Sequence, residues 1–303
     1  MQIPRFWVKD EGGDVDPSGR RWHLTMWGWS STSVADAADV ARARLQQALE
    51  KVRRGERLVG GYYPRLPLRE EIVGVVQHDG QDVAVITRNR YGAQVLNTDC
   101  VLIADVDRDL QPRTHGVDVV REVGKRLSRL FGRNVPIAGH VETDPAPERS
   151  PEQQALAVVQ QWAAGYPEYG VRTYRTAAGL RVIVTGAQAP PSSELARRLL
   201  VELDSDPLYI ELCAQHDTYR ARLTPKPWRA GWRAPTVRWP YESDAARGQF
   251  ASWLARYERA SQDRSTCRLL ATSGPEPLAG SADAVIVALH DDVTRVHDNT
   301  PLA

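Results

Sequence analysis

Polar and apolar residues alternate with two different periods in the first 55 positions, and the change of period predicts two elements. Residues 5–29 alternate aromatic with polar residues on either side of a Gly-, Asp- and Pro-rich bend. A period of two is typical of strands that bury one face, so this segment is predicted to be a β-hairpin. From Ser31 or Ser33 to about Arg54, apolar residues recur every three or four positions. That spacing predicts an amphipathic helix with a serine at its N-cap.

Periodicity and turn residues also predict the elements of the remaining chain. A short helix is predicted from Pro67, and further helical segments over residues 116–130, 151–164, 192–203, 207–214 and 244–261. Strands are predicted over residues 82–87, 93–97, 101–105, 171–176, 179–185, 219–223, 267–272 and 284–289. The first three of these strands are expected to form a meander. The strands over 171–185 are expected to form a hairpin with a two-residue turn.

The order of these elements predicts an α+β fold. Between residues 100 and 223 the order is strand, helix, strand, strand, helix, strand, with one extra helix, as in an RRM-like or ferredoxin-like βαββαβ core. The predicted regions are a hairpin-plus-helix extension over 1–75, the core over 76–241, and a C-terminal helix and strands over 242–303. No long flexible linker separates them, so the extensions are expected to pack on the same body.

Composition narrows the class of protein but does not identify its partner. The 303 residues are 42% hydrophobic and 25% charged, as in soluble globular proteins, and the formal net charge is +1. There is no apolar run of about 20 residues that would predict a membrane span. The N-terminus also lacks the apolar core of a signal peptide, which favours a cytoplasmic protein without a membrane partner. Cys100, Cys213 and Cys267 are spaced for neither a disulfide framework nor a zinc site.

Two carboxylates at the end of one predicted strand are the first candidate for chemistry. The apolar segment from Val101 leads into Asp105 and Asp107. Side chains two apart on a strand lie on the same face. The pair therefore suits a hard divalent cation, Mg or Mn, although aspartates also end strands and cap turns. His290 beside Asp291 is a second pairing that suits either a metal, a base or a structural role.

Basic residues near aromatic rings are the second candidate. The predicted hairpin carries two arginines and a threonine around its turn, and guanidinium groups bind phosphate oxygens bidentately. Between Thr218 and Tyr241 there are six basic residues, three tryptophans and no acidic residue. This composition suits phosphates and bases, and it also fits a loop whose tryptophans pack on the core. The candidate phosphate or nucleic-acid ligands are Arg175, Thr176, Arg181, Arg220, Arg222, Lys226, Trp228 and Arg229.

The motifs resemble those of two protein groups. Most of the chain resembles a group of uncharacterised bacterial proteins, a resemblance that implies no function. It rests on Arg88-Asn-Arg-Tyr91-Gly, Val95-Leu-Asn-Thr98, Asp105-Val-Asp107, Tyr174-Arg-Thr176, Gly179-Leu-Arg181 and the segment from Arg220 to Arg229. Residues 95–230 more remotely resemble the archaeo-eukaryotic primase (primase-polymerase) superfamily. That superfamily has an RRM-like catalytic core, a first-strand Asp-x-Asp, a hairpin motif, a third carboxylate and an Arg-Leu-Pro…Lys segment.

The second resemblance implies roles for particular residues. Asp105 and Asp107 match the Asp-x-Asp, residues 176–181 match the hairpin motif, and residues 222–226 match the last segment. The third carboxylate would be Asp217, or alternatively one of the aspartates at positions 204 and 206. At position 181 this chain has arginine where the superfamily has the histidine that handles the phosphates of the incoming nucleotide.

Three functional hypotheses follow. The leading hypothesis is metal-dependent nucleotidyl or phosphoryl transfer on nucleotides or nucleic acid, with Asp105, Asp107 and Asp217 as catalytic residues and Mg or Mn as cofactor. The first alternative is a non-catalytic nucleic-acid-binding protein that uses the same basic segment. The second alternative is a protein-interaction or structural protein with a tryptophan-rich surface. The oligomeric state is left open.

Overall fold

The computed structural model describes residues 3–58, 66–107 and 150–303. Over these ranges the fold is mixed α/β, with three antiparallel sheets and six α-helices. The strands are β1 (Phe6–Val15), β2 (Arg21–Ser30), β3 (Glu71–His78), β4 (Gln81–Arg88), β5 (Gln94–Thr98), β6 (Leu102–Asp107), β7 (Gly170–Thr176), β8 (Gly179–Thr185), β9 (Tyr219–Arg222) and β10 (Cys267–Ser273). The helices are α1 (Val34–Arg53), α2 (Pro151–Gly165), α3 (Glu194–Glu202), α4 (Pro207–His216), α5 (Asp244–Ser261) and α6 (Ala282–Thr294). None of the helices in these ranges combines the length and the apolar character needed to cross a membrane.

The N-terminal hairpin and the helix after it are both confirmed. β1 and β2 pair in antiparallel register along their whole length. The turn between them is closed by Asp16, whose carboxylate accepts hydrogen bonds from two backbone amides and from the indole of Trp22. Ser33 caps α1 by accepting from the amide of Asp36. The apolar face of α1 lies against the hairpin, as its helical period predicts.

The first four-stranded sheet has the order β3-β4-β5-β9. The helix predicted from Pro67 is wrong, because residues 71–78 form the edge strand β3 and pair with β4. Ile72 is half-buried, whereas Val73 and Val75 on the other face are exposed. β-branched residues fit such a half-buried strand. Pairing with β4 is what makes this segment a strand rather than a helix.

The second sheet has the order β10-β7-β8-β6. Its β7–β8 hairpin is confirmed, with the predicted two-residue turn at Ala177 and Ala178. The predicted meander is wrong in its third strand, because the chain leaves the first sheet after β5 and β6 pairs with β8 instead. The helix predicted over 116–130 lies outside the described residues.

The fourth strand of the predicted core takes a different place from the one expected. In a βαββαβ sandwich all four strands share one sheet. Here β6, β8 and β7 are neighbours, but β9 pairs with β5 in the first sheet, from Thr98↔Tyr219 to Val95↔Arg222. The fold is therefore mixed α/β, and β9 does not join the sheet that contains β6, β8 and β7.

The C-terminal region contains one strand and two helices. α5 has the predicted bounds, and β10 joins the second sheet beside β7. The strand predicted over 284–289 is wrong, because this apolar run lies within α6, which begins after the N-cap Ser281. The buried residues Ile286, His290 and Thr294 recur every four positions, which is the period of a helix. A short apolar run does not by itself distinguish the two-residue period of a strand from the period of a helix.

A close approach between hairpin and helix gives the first prediction. A Cβ at Gly28 would lie 2.1 Å from the carbonyl oxygen of Ala37 and 2.2 Å from the amide nitrogen of Ala41. Gly28→Ala must therefore push α1 away from β2, and we expect it to lower the free energy of unfolding by about 3 kcal/mol. Denaturant unfolding of the full chain measures this. Gly248→Ala is the control, because that helical glycine faces open space; equal stabilities of the two variants would contradict the prediction.

Candidate functional site

Asp105 lies on the edge strand of the second sheet, half-buried and directly opposite Arg181 of β8. Its backbone is held by the segment between α3 and α4: the carbonyl accepts from the amide of Asp206 at 2.9 Å and from Ser205 Oγ at 3.2 Å. The backbone of Asp107 pairs with Gly179. The side chain of Asp107 lies outside the described part of the structure.

The candidate third carboxylate, Asp217, lies away from Asp105. Asp206 caps the N-terminus of α4, with its carboxylate accepting from the amides of Leu208 and Tyr209. Asp217 follows the C-terminus of the same ten-residue helix, which is about 15 Å away. There its carboxylate accepts from Ser192 Oγ at 2.8 Å. The structure thus brings Asp206, rather than Asp217, next to Asp105.

A complete set of metal ligands does not appear in the described part of the chain. Within residues 3–58, 66–107 and 150–303, no group of three or more His, Cys, Asp or Glu side chains is arranged to hold a metal ion. Asp105 offers the carboxylate oxygens that Mg and Mn prefer.

Arg181 is buried, with 3% of its surface exposed. Its Nη1 donates to the carbonyl of Arg222 at 2.9 Å and lies 3.3 Å from Cys267 Sγ and 3.2 Å from His290 Nε2. Burial acts to lower the pKa of Arg181, but the nearby Cys267 and Asp105 raise it, so the guanidinium stays charged. This arginine is therefore part of the core rather than an open phosphate ligand.

His290 and Asp291 extend the contacts of Arg181 into a buried network. Because a guanidinium only donates, His290 Nε2 must accept from Arg181, and Nδ1 must donate to Asp291 Oδ1 at 2.9 Å. Asp291 also binds Arg172 at 2.9 Å, and Arg172 donates to the hydroxyl of Tyr174. Burial lowers the pKa of His290 to about 4, so the imidazole is neutral. These contacts support a structural role for the His290–Asp291 pair.

The polar groups at the turn of the β7–β8 hairpin are bonded to groups of the protein itself. Thr176 Oγ1 accepts from the amides of Ala178 at 3.2 Å and Gly179 at 3.1 Å, so both amides are already bonded. Arg175 forms an ion pair with Glu152 of α2. A phosphate at this turn would have to displace both sets of contacts.

On β9 the two candidate arginines lie on one face of the strand, and Arg220 is engaged by the protein. Arg220 binds both carboxylate oxygens of Glu70, at 2.7 and 2.8 Å, and Glu70 also accepts from Thr87. Arg222 is half-buried, and burial, followed by repulsion from Arg181, lowers its pKa. Glu70 lies 150 positions from its partner in the chain, which is why the sequence did not indicate the pair.

Trp228 is the exposed centre of a basic and aromatic surface. Trp228 is 50% exposed and lies on a short 3-10 turn, and its ring packs edge-to-face with that of Tyr91, with the ring centres 5.1 Å apart. Lys226 Nζ lies 5.7 Å from the centre of the Trp228 ring, and the Arg90 guanidinium lies 4.7 Å from that of Tyr91. We call Arg90, Tyr91, Lys226, Trp228 and Arg229 the Trp228 surface. Three of its members were candidates from sequence, and the β4–β5 turn supplies the other two.

A cavity of about 360 Å³ lies beside this surface. We call it the arginine cavity, and it lies where β3, the end of β4, the segment 235–241 and α5 meet. Its lining residues include Arg69, Glu70, Glu71, Arg88, Asn89, Arg90, Arg238, Trp239, Tyr241 and Phe250. Sequence reasoning missed this site, because its arginines come from three separate segments.

Comparison of the chain with protein-family models, with curated proteins and with solved structures found no match.

The neutral buried His290 gives a prediction for pH dependence. The native pKa of about 4 lies below the ordinary value of 6.5, so the unfolded chain binds more protons between these pH values. Stability is therefore lost as pH falls from 6.5 towards 4, by about 3 kcal/mol for this group. We expect His290→Gln, whose side-chain carbonyl can still accept from Arg181, to show a shallower loss.

Urea unfolding of both proteins between pH 4 and 7 measures that difference. His23→Gln is the matched control, because the His23 side chain is 72% exposed on β2. Wild type and His290→Gln losing the same stability over this range would show that His290 is not the titrating group.

Proposed function

We propose that this protein binds nucleic acid, in particular single strands, through the Trp228 surface. The observation that supports this most directly is the half-exposed Trp228 ring, flanked by Tyr91 and with the cations of Lys226 and Arg90 close to the two rings. Exposed rings stack on bases of any sequence, and adjacent cations neutralise phosphates. In the described part of the chain, neither Arg90 nor Arg229 forms an ion pair with a carboxylate.

Binding is favoured over catalysis because several groups expected at a transfer site are already in use. Arg181 and Arg220 are bonded to other groups of the same chain, and Asp217 lies a helix length from Asp105. In contrast, Arg90 and Trp228 of the Trp228 surface are exposed. This proposal corresponds to the non-catalytic alternative drawn from the sequence.

Trp228→Ala tests the proposal. Loss of one stacking platform is expected to weaken binding of a fluorescent single-stranded oligonucleotide by about 1–3 kcal/mol. Lys226→Ala is expected to reduce the slope of log affinity against log salt by about 0.7, because one phosphate contact is lost. Fluorescence anisotropy at several salt concentrations measures both effects.

Two variants serve as controls for these measurements. Leu278→Ala removes an apolar side chain that is 81% exposed elsewhere, and Arg42→Ala removes an arginine on α1 that pairs with Asp39. Both should bind the oligonucleotide as the wild type does. Salt-independent binding, or no binding by the wild type, would contradict the proposal and favour a protein-interaction role.

Metal-dependent nucleotidyl transfer is the second candidate function. It is favoured by the position of Asp105 on β6, beside the β7–β8 hairpin, since these three strands are neighbours as in an RRM-like core. Asp105 and Asp107 would hold the Mg or Mn ion, which would supply charge neutralisation for phosphoryl transfer. Arg181 and Arg222 lie close enough to Asp105 to interact with it electrostatically.

Calorimetric titration of Mn²⁺ with and without a nucleoside triphosphate tests this candidate. We expect the wild type to bind the ion more tightly with the triphosphate, and Asp105→Asn to lose at least about tenfold in affinity, as expected for loss of a charged ligand. Asp39→Asn is the control, because that carboxylate is exposed on α1. Equal binding by wild type and Asp105→Asn would exclude Asp105 as a ligand.

A further inference from the structure

The arginine cavity has more positive charge than its own acidic groups balance. Its lining contains four arginines and two glutamates. Glu70 is already bound by Arg220 through both oxygens and by the Thr87 hydroxyl at 2.6 Å. Glu71 accepts from the hydroxyl of Tyr241 at 2.9 Å. The two acids are thus committed to neighbours, while the arginines face the same open volume.

Arg88 is the least solvated of these cations. Only 9% of its surface is exposed, and its Nη1 donates to the carbonyl of Gly92 at 2.8 Å. Its Nε is buried and has no hydrogen-bond partner among the described residues. A buried guanidinium without a carboxylate is unfavourable, because burial removes its hydration. An anion in the cavity would supply the negative charge that balances the Arg88 guanidinium.

Two further arginines line the cavity: Arg69 just before β3, and Arg238 in the segment 235–241. In residues 66–107 and 150–303, neither forms an ion pair with a carboxylate. The guanidinium of Arg69 lies 4.3 Å from the centre of the Trp27 ring. Burial, followed by repulsion from Arg238, lowers the pKa of Arg69. Two cations that repel each other across one volume are stabilised together by an anion between them.

Aromatic side chains line the same volume. Trp239 and Tyr241 are half-buried at the cavity, and Phe250 is buried behind Tyr241, with ring centres 5.2 Å apart. A planar ring bound beside them would gain stacking and burial. The lining therefore combines guanidinium groups that can bind a phosphate with aromatic side chains that can contact a ring, as recognition of a phosphorylated ring compound requires.

We propose that the arginine cavity is a binding site for a small phosphate ester that carries a planar ring, of the size of a nucleoside monophosphate. A volume of about 360 Å³ is at the lower end of the roughly 300–1,000 Å³ of small-molecule pockets, which favours a single nucleotide over a strand. The phosphate would lie among Arg69, Arg88 and Arg238, and the ring against Trp239 or Tyr241. The inference uses residues other than Lys226 and Trp228 and stands independently of the proposed nucleic-acid binding.

Isothermal titration of the full chain with adenosine monophosphate, inorganic phosphate and adenosine tests the proposal. We expect the monophosphate to bind, inorganic phosphate to bind more weakly, and adenosine to bind at least about tenfold more weakly than the monophosphate, because a charge-assisted fork is lost. Arg238→Ala should weaken monophosphate binding by about tenfold or more, since it removes one fork from an exposed position that the fold does not need.

Arg42→Ala is the matched control and should bind the monophosphate as the wild type does, because Arg42 lies on α1. Trp228→Ala should also retain monophosphate binding, which separates this cavity from the Trp228 surface. Absence of binding by the wild type at millimolar concentration would overturn the proposal. So would unchanged binding by Arg238→Ala, or adenosine binding as tight as that of its monophosphate.

Discussion

The buried guanidinium of Arg181 is the interaction on which the arrangement of the two larger sheets depends. It lies opposite Asp105 on β6, donates to the carbonyl of Arg222 on β9, and contacts Cys267 on β10 and His290 on α6. A buried cation is costly unless its partners are fixed around it. The contacts of this one group therefore link four elements that are far apart in the chain.

The position of β9 in turn places the Trp228 surface. β9 pairs with β5, and the chain after it is held where the Tyr257 hydroxyl donates to the carbonyl of Pro225 at 2.7 Å. The backbone amide of Gln94 on β5 donates to Thr224 Oγ1 at 2.9 Å. The 3-10 turn that follows brings the Trp228 ring against the β4–β5 turn, so an exposed surface is built on a rigid sheet edge.

Ion pairing decides which arginines are left for a ligand. Glu152, Glu70 and Asp291 each hold an arginine that the sequence alone would leave open. Among the described residues, no ion pair with a carboxylate is formed by Arg90 and Arg229 of the Trp228 surface or by Arg69, Arg88 and Arg238 of the arginine cavity. The Trp228 surface was only partly predicted and the arginine cavity was missed, because a basic residue in sequence gives no information about the acid that folds against it.

The sequence by itself determined the elements whose signals are local: the N-terminal hairpin, α1 with its serine cap, the β7–β8 hairpin and α5. It did not determine which sheet β6 joins or where β9 pairs, because strand pairing depends on contacts between distant segments. The apolar run within α6 fits either a strand or a helix until its buried face is known. Only the tertiary structure separated Asp217 from Asp105 and gathered the arginine cavity, since both results depend on how whole elements pack.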